Sequence, residues 1–566
     1  MTRDTRDILV DLGWISLWFA LLILAGFGLR EPWPADEPRF AGVALEMLRS
    51  GNWLIPHIGG DLYQDKPPLH FWMMTVGYLL TGSVRLGFLL PSMLASLGTV
   101  LLVYDLVRRL HGREAGLLAA LTLACCVHFV LTTRGAQIDA TLIFFCTLGL
   151  YGLLRHVLLG APLAYAALGA FGAGLGVIDK AVGFLALALL PLAALCSRRL
   201  GIPRIAARTW VTVGVVFAAT IALWLVPMLL HVAASGSPTL EAYRDELLFQ
   251  QTVTRYAQAW HHIRPWYYFL VEVIPVLWLP LSALLPWLVM RWRSDWQAQR
   301  AATWLPLLWV LFVVLFFSLS TGKRGVYVLP ALPALAIAAA PHLALLYARR
   351  GVQRLSLVLA SVLLVPGVLL SAGALLGVNA VDRLVADSGV GSLLPVHAFA
   401  LFAVLAWIGA WRRHPIIAWP AVLACLTVTW GFGIAPQING ERSASTFMRQ
   451  MLAQVPQGKE LGLVAYKEQF LLYLDRETVN FGHARWREGD AEAFDAARWL
   501  AGGADRVLLV PGHFIERCFA GAQKRFAGES SDDRWYLVSG PPAADCVARG
   551  NPGKVIRYPA PAGLRP

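Results

Sequence analysis

The sequence predicts an all-α, polytopic membrane protein of about thirteen transmembrane helices, followed by a small C-terminal α/β domain outside the bilayer. Three observations carry that expectation. Of 566 residues, 57% are hydrophobic and 15% charged, with a mean hydropathy of +0.59, a balance foreign to water-soluble globules. Apolar runs of bilayer-spanning length recur along the chain, and lipid offers backbone groups no partner, so such unbroken runs must be helices rather than barrel strands. Past about residue 437 the pattern changes to short β-like runs interleaved with helix-forming ones.

Taken in order, the spans are expected near 12–29, 83–107, 115–133, 138–154, 163–178, 181–196, 210–231, 266–290, 302–319, 325–347, 355–377, 395–411 and 415–433. The first lacks a small-residue cleavage site and is long enough to cross, so it is expected to stay as an anchor. The two stretches flanking Asp179 and Lys180 are short and read equally as one re-entrant hairpin. Alternate loops are basic, carrying Arg108, Arg109 and Arg113; Arg198, Arg199, Arg204 and Arg208; Arg291, Arg293 and Arg300; Arg349, Arg350 and Arg354; and Arg412 and Arg413. Lys and Arg resist translocation, so these loops and the N-terminus with Arg3 and Arg6 are cytoplasmic. An odd number of crossings then puts the tail outside, in the periplasm of a bacterium whose inner membrane the chain spans. The net charge of +13 reads as basic loops on anionic lipid, with no nucleic-acid module in sight.

The expected division is a membrane domain at 1–436, with outer loops 30–82 and 232–265, and an outer α/β domain at 437–566. Within the latter, Leu461–Ala465 and Arg506–Val510 read as strands and Ala491–Leu500 as a helix. There is no internal repeat or low-complexity segment. Cys125, Cys126, Cys146, Cys196 and Cys425 lie in or beside apolar spans and read as small hydrophobes. Cys518 and Cys546 stand apart in the tail, where an oxidising compartment favours a disulfide.

Basic residues on the outer side break the positive-inside pattern and need another reason to be there. They are Arg39, Lys66, Arg134 near Asp139, Arg255, Arg264, Lys323 and Arg324. Snorkelling at helix ends explains any one of them; the set on one face points to an anionic substrate. In Pro34-Ala35-Asp36-Glu37-Pro38-Arg39-Phe40, Pro38 fits a first helical turn, and Phe40, Val43, Ala44, Met47 and Leu48 follow at helical spacing, so this helix is expected to lie in the membrane interface. One acid of Asp36 and Glu37 suffices to cap it, leaving the other to act as a base or orient an acceptor. In Tyr63-Gln64-Asp65-Lys66-Pro67-Pro68-Leu69, proline holds Lys66 extended at a helix N-terminus, which suits a phosphate or a lipid headgroup. His261 and His262, ahead of Arg264-Pro265-Trp266-Tyr267-Tyr268, read either as an aromatic belt or, with Asp65, as ligands of a divalent metal.

These motifs carry a resemblance. Asp-Glu-x-Arg-Phe at 36–40, Tyr-x-x-Lys-Pro-Pro-Leu at 63–69, Arg134 with Asp139, and Lys323-Arg324-Gly-Val-Tyr327-Val-Leu-Pro330 together resemble the bacterial aminoarabinose transferase family of C-type, protein-mannosyltransferase-like glycosyltransferases. The resemblance covers most of the membrane region; the tail matches only in position and size. It implies transfer of 4-amino-4-deoxy-L-arabinose from undecaprenyl phosphate to lipid A, with Asp36 as principal acid, Asp139 as a second, and Glu37 beside them. It places Arg39, Lys66, Tyr63 and Tyr327, with Lys323 and Arg324, around the donor phosphate. Phe40 stands where a tyrosine is common in that family.

The chemistry fits, since cleaving a sugar–phosphate bond builds negative charge on the leaving group and calls for fixed cations. A lipid A phosphate needs positioning, a hydroxyl acceptor a base. No nucleotide-binding loop is present, no cofactor is expected, a metal is not required, and a monomer is expected. A polyprenyl-lipid transporter would place its ionisable groups at the bilayer midplane. A sensor with a periplasmic tail would not need the charged first loop. Transfer of another sugar, such as a hexose, to lipid, glycan or protein is the remaining enzymatic alternative.

Overall fold

The computed structural model describes residues 3–248, 262–483 and 485–559. The chain separates into two compact units. One holds the described residues up to 27 with 64–70 and 89–434; the other holds 28–63, 71–88 and the described residues from 435 on. Segment 30–82 is therefore shared between them.

Among the described residues the chain supplies the long apolar helices the hydropathy pattern demands. Thr5–Leu24, Val84–His111, Ile138–Leu159, Leu163–Lys180, Ala207–Ser235, Ala301–Leu319, Arg350–Leu375, Leu394–Arg413 and Pro415–Leu452 are each long enough to cross. Two further stretches are bent pairs, Arg113–Ala124 with Val127–Thr133 at 63° and Phe269–Leu277 with Ser282–Gln297 at 104°. The second break contains Pro280, which cannot continue the hydrogen-bond ladder. Gly183–Leu195 and Ala331–Tyr347 are shorter apolar helices. Lys180 closes one helix and a 3₁₀ turn at Gly183–Ala188 opens the next.

One helix pair brings the buried polar residues of this unit together. Ile138–Leu159 and Leu163–Lys180 run antiparallel and touch through glycine: a Cβ on Gly152 would lie 2.3 Å from the Tyr165 carbonyl oxygen, and one on Gly169 would lie 2.8 Å from that of Gly149. Such small-residue contacts bring membrane helices to backbone distance. This register sets the first turn of one helix, with Asp139 and Thr141, against the last turn of the other, with Asp179 and Lys180.

The second unit begins with the helix Glu37–Ser50. Its expected apolar stripe exists, but protein rather than membrane covers it. Phe40, Val43, Ala44 and Met47 are at most 3% exposed, Phe40 meets Phe71 at 5.7 Å between ring centroids, and Thr75 and Tyr78 donate to the carbonyls of Ala44 and Ala41. The pattern reads the same in sequence because a lipid surface and a neighbouring helix present the same apolar face. A two-stranded hairpin follows, β1 (His57–Ile58) with β2 (Asp61–Leu62).

The tail folds as a six-stranded mixed sheet in the order β6-β7-β5-β3-β4-β8, from β3 (Glu460–Leu463), β4 (Thr478–Asn480), β5 (Arg506–Pro511), β6 (Gln523–Ser530), β7 (Asp533–Ser539) and β8 (Ile556–Tyr558). β3 is parallel to β4 and β5, and the outer pairings are antiparallel. Helix Ala491–Ala501 lays Ala493, Ala496, Ala497 and Trp499 on Leu508, Val510 and Val538. Gly462 on β3 leaves room for the Trp499 ring, which a Cβ there would meet at 2.9 Å. Cys518 and Cys546 are disulfide-bonded, with Cα atoms 5.7 Å apart.

Candidate active site

In the helical unit the charged centre is an ion pair between Asp139 and Lys180. Asp139 is only 3% exposed, on the first turn of Ile138–Leu159. The Lys180 ammonium also lies 5.5 Å from the centre of the Tyr327 ring, a favourable cation–π arrangement. Tyr327 is carried by the 3₁₀ turn Gly325–Val328 and leans on Phe317 at 5.4 Å. Two residues expected from the sequence, Asp139 and Tyr327, are thus joined by Lys180, which hydropathy places merely between two spans. Its signal is present in the sequence, an ionised pair between two apolar stretches, but spacing alone does not reveal the partner.

Lys66 stands half-buried three residues before the first residue of the helix Leu69–Thr81, and its ammonium donates to the Asp65 carbonyl at 2.9 Å. Arg134 has a different task from the substrate contact expected of it. Its guanidinium donates to the carbonyls of Leu22 and Ala25 at 2.9 and 2.8 Å and approaches those of Ile23 and Thr427 at 3.4 and 3.3 Å. The first span ends there, so the arginine satisfies carbonyls that a finishing helix leaves without partners. Lys323 is likewise committed to backbone, donating to the carbonyls of Arg264 at 3.0 Å and of Ser320. With the Ile263–Gly322 bridge and the Lys323 amide on the His262 carbonyl, it straps 320–323 to 262–264. Arg324 is exposed at the entry to the Tyr327 turn, and Arg264 lies 5.5 Å from the Tyr268 ring centre. His261 and Arg255 lie outside the described residues. Among the described residues no three His, Cys, Asp or Glu side chains gather as metal ligands.

In the second unit the two adjacent acids have different surroundings. Glu37 is buried and takes both guanidinium nitrogens of Arg30, one at 2.6 Å, and the Trp33 amide at 2.9 Å. It clamps the segment leading into the helix. Asp36 is half-buried at the N-cap position and makes no capping bond with its side chain, so capping does not explain it. Arg39 donates through Nε to Glu468 at 2.8 Å, and His483 Nε2 meets the same oxygen at 3.0 Å. Burial opposes ionisation of Glu468, but His483 and Arg39 together hold its carboxyl below the usual range. The His483 amide donates to Asp61. Glu468 and His483 are invisible in sequence; Glu468 lies 429 residues from Arg39, and neither sits in a motif. Tyr63 is 3% exposed and meets Phe71 edge-on at 5.6 Å.

The comparisons with known proteins join these observations. Residues 65–235, which contain Lys66, Asp139 and Lys180, match the dolichyl-phosphate-mannose-protein mannosyltransferase family. The fold is similar to that in the crystal structure of ArnT from Cupriavidus metallidurans bound to undecaprenyl phosphate, with a TM-score of 0.72 and 18% identity over 94% of this chain and 99% of that one. The fold is that of the C-type glycosyltransferases, in a multi-pass membrane protein. The undecaprenyl phosphate-α-4-amino-4-deoxy-L-arabinose arabinosyl transferase of Pseudomonas aeruginosa is 33% identical over 423 residues, 72% of this chain and 71% of its own. The protein of the same name from Erwinia tasmaniensis is 31% identical over 338 residues, 58% of each chain. The chain belongs to this arabinosyl transferase family.

Proposed function

We propose that the protein transfers 4-amino-4-deoxy-L-arabinose from undecaprenyl phosphate to a phosphate of lipid A at the periplasmic face of the bacterial inner membrane. The observation that carries this reading is the 33% identity to the Pseudomonas aeruginosa transferase across 72% of the chain. The topology that goes with it is thirteen crossings with the tail outside, supported by the five basic loops.

In the reaction the bond between the sugar's anomeric carbon and the donor phosphate oxygen breaks, the electron pair leaves with undecaprenyl phosphate, and an acceptor phosphate oxygen bonds to that carbon. The acceptor is already an anion and needs orientation rather than deprotonation. We assign Lys66, Lys180, Arg39 and Arg324 to the donor and acceptor phosphates, where fixed cations stabilise the charge that develops. Tyr63 and Tyr327 are assigned to the donor phosphate as hydroxyl donors. Asp36 is assigned to the sugar as the principal acid that the family resemblance implies, and Asp139 keeps Lys180 in place. With cations in that role the reaction runs without metal or organic cofactor, in a monomer; EDTA is expected to leave the rate unchanged.

The test is expression in a bacterium that lacks its own transferase, followed by mass spectrometry of lipid A. An aminoarabinose added to a lipid A phosphate is the expected result. Unmodified lipid A at normal expression, together with transfer of a hexose by the purified protein from a defined polyprenyl-phosphate sugar, overturns it.

A further inference from the structure

Beside the Asp139–Lys180 pair lies a second polar chain that the proposed reaction does not use. His70, Thr141 and Asp179 are all 0% exposed. His70 Nδ1 lies 3.1 Å from the Thr141 hydroxyl, and that hydroxyl lies 3.0 Å from both carboxyl oxygens of Asp179 and 2.9 Å from the Ile138 carbonyl. A hydroxyl has one proton to give. With that proton given to Asp179, the oxygen lone pairs accept from a His70 ring protonated at Nδ1. Burying a carboxylate and an imidazole in an apolar helix pair is unfavourable. The glycine contacts at Gly149, Gly152 and Gly169 already hold the two helices together, so packing does not require the polar chain.

We propose that His70, Thr141 and Asp179 are positioning residues for the donor-phosphate cations, with the Thr141 hydroxyl as their hub. Asp179 immediately precedes Lys180, and anchoring its carboxyl fixes the last helical turn and so the direction of the Lys180 ammonium towards Asp139 and Tyr327. His70 lies four residues after Lys66, on the first turn of the helix that Pro67 and Pro68 introduce, and its bond to Thr141 ties the Lys66 segment to the same hub. Two cations far apart in sequence are thereby held to one reference point. The inference rests on the donor's being a polyprenyl phosphate, and not on which sugar it carries.

The experiment measures binding of undecaprenyl phosphate to the full-length protein in detergent, alongside the ligand-free melting temperature. Thr141→Val keeps the shape and removes the hydroxyl, and Thr141→Ser restores it. Measured well below its melting temperature, which falls as His70 and Asp179 lose their shared partner, the valine variant is expected to bind about tenfold or more weakly, and the serine variant to bind within about threefold of the parent. His70→Asn, whose amide reaches the position of Nδ1, is expected to retain binding that His70→Phe loses, and this pair decides the matter if Thr141→Val does not fold. Undiminished binding by Thr141→Val, or equal losses in the valine and serine variants, overturns the proposal alone. A parent that does not bind undecaprenyl phosphate overturns both this proposal and the function on which it rests.

Discussion

At the scale of single residues, what the sequence made legible was the presence of charge where charge is unfavourable. Lys66 and Asp139 stood out because cations and acids at the ends of apolar helices are retained only for a reason, and Tyr327 only through the family resemblance. Partners were not legible, because an ion pair such as Asp139 with Lys180, or Arg39 with Glu468, is closed by tertiary structure. Arg134 and Lys323 read as substrate contacts because nothing in a sequence marks a backbone carbonyl in need of a donor. Glu37 and Asp36 look interchangeable until Arg30 is seen to hold one of them. Asp36→Asn keeps the side-chain shape and removes the charge, and Lys66→Ala removes the cation proposed to stand beside the leaving group. Each is expected to slow aminoarabinose transfer to lipid A by about a hundredfold to a thousandfold, as loss of a preorganised charge at a developing anion does, in protein that remains folded and inserted. A lost helix cap would cost only about 1 kcal/mol, and Asp36 makes no such bond. Transfer by both variants at the parent's rate would show that these residues are not in the site.

At the scale of elements, periodicity identified the long helices and the helix Glu37–Ser50, whereas the partner of that helix and the edge strands were missed. β6 escaped because most of its residues are exposed and polar, so it lacks the alternation that betrays a strand. The hairpin β1–β2 is held by a device that only the fold creates. Glu46 accepts the Gly60 amide at 2.9 Å, and the Asn480 side chain donates to the Gly59 carbonyl at 2.9 Å. In the tail Glu492 accepts the Ala465 amide at 2.7 Å. Burial pushes both carboxyls up to about 7. A carboxyl raised in the folded state keeps its proton when the unfolded chain has lost it, so each stabilises the second unit most below about pH 4.5 and loses that contribution as pH rises to about 7. The size is on the order of 3 kcal/mol each. His57, pushed down by burial, changes stability in the opposite sense over part of that range. The decisive quantity is therefore the difference between the parent and the Glu46→Gln, Glu492→Gln double variant. The melting temperature of the parent relative to that variant is expected to fall between pH 5 and pH 7.5, and a difference independent of pH would contradict the assignment.

At the scale of the whole molecule, composition and hydropathy were enough to give the class, because a bilayer permits few architectures, and the abrupt change near residue 437 was enough to give a small C-terminal sheet domain. What composition could not give was membership of the second unit. Residues 28–63 and 71–88 join the tail in it, and contacts between segments so distant in sequence leave no local pattern. Sidedness rests on the basic loops alone, which leads to a prediction of its own: alkaline phosphatase fused after residue 450 is expected to be active, and cytoplasmic fluorescence from a reporter at that point would reverse the topology. The disulfide supplies an independent check, since it depends on the compartment and not on charge. Cys518 and Cys546 close a loop with a sequence separation of 28, worth on the order of 3 kcal/mol by restriction of the unfolded chain, and both are buried in the hydrophobic cluster of the tail. Such a bond persists in an oxidising compartment and not against cytosolic thiols. Mass mapping of protein alkylated without reduction, taken directly from membranes, is expected to find these two cysteines linked and the apolar cysteines unlinked. The double alanine variant is expected to melt several degrees lower. Finding Cys518 and Cys546 alkylated would place the tail in a reducing compartment, and the periplasmic assignment of the reaction would fall with it.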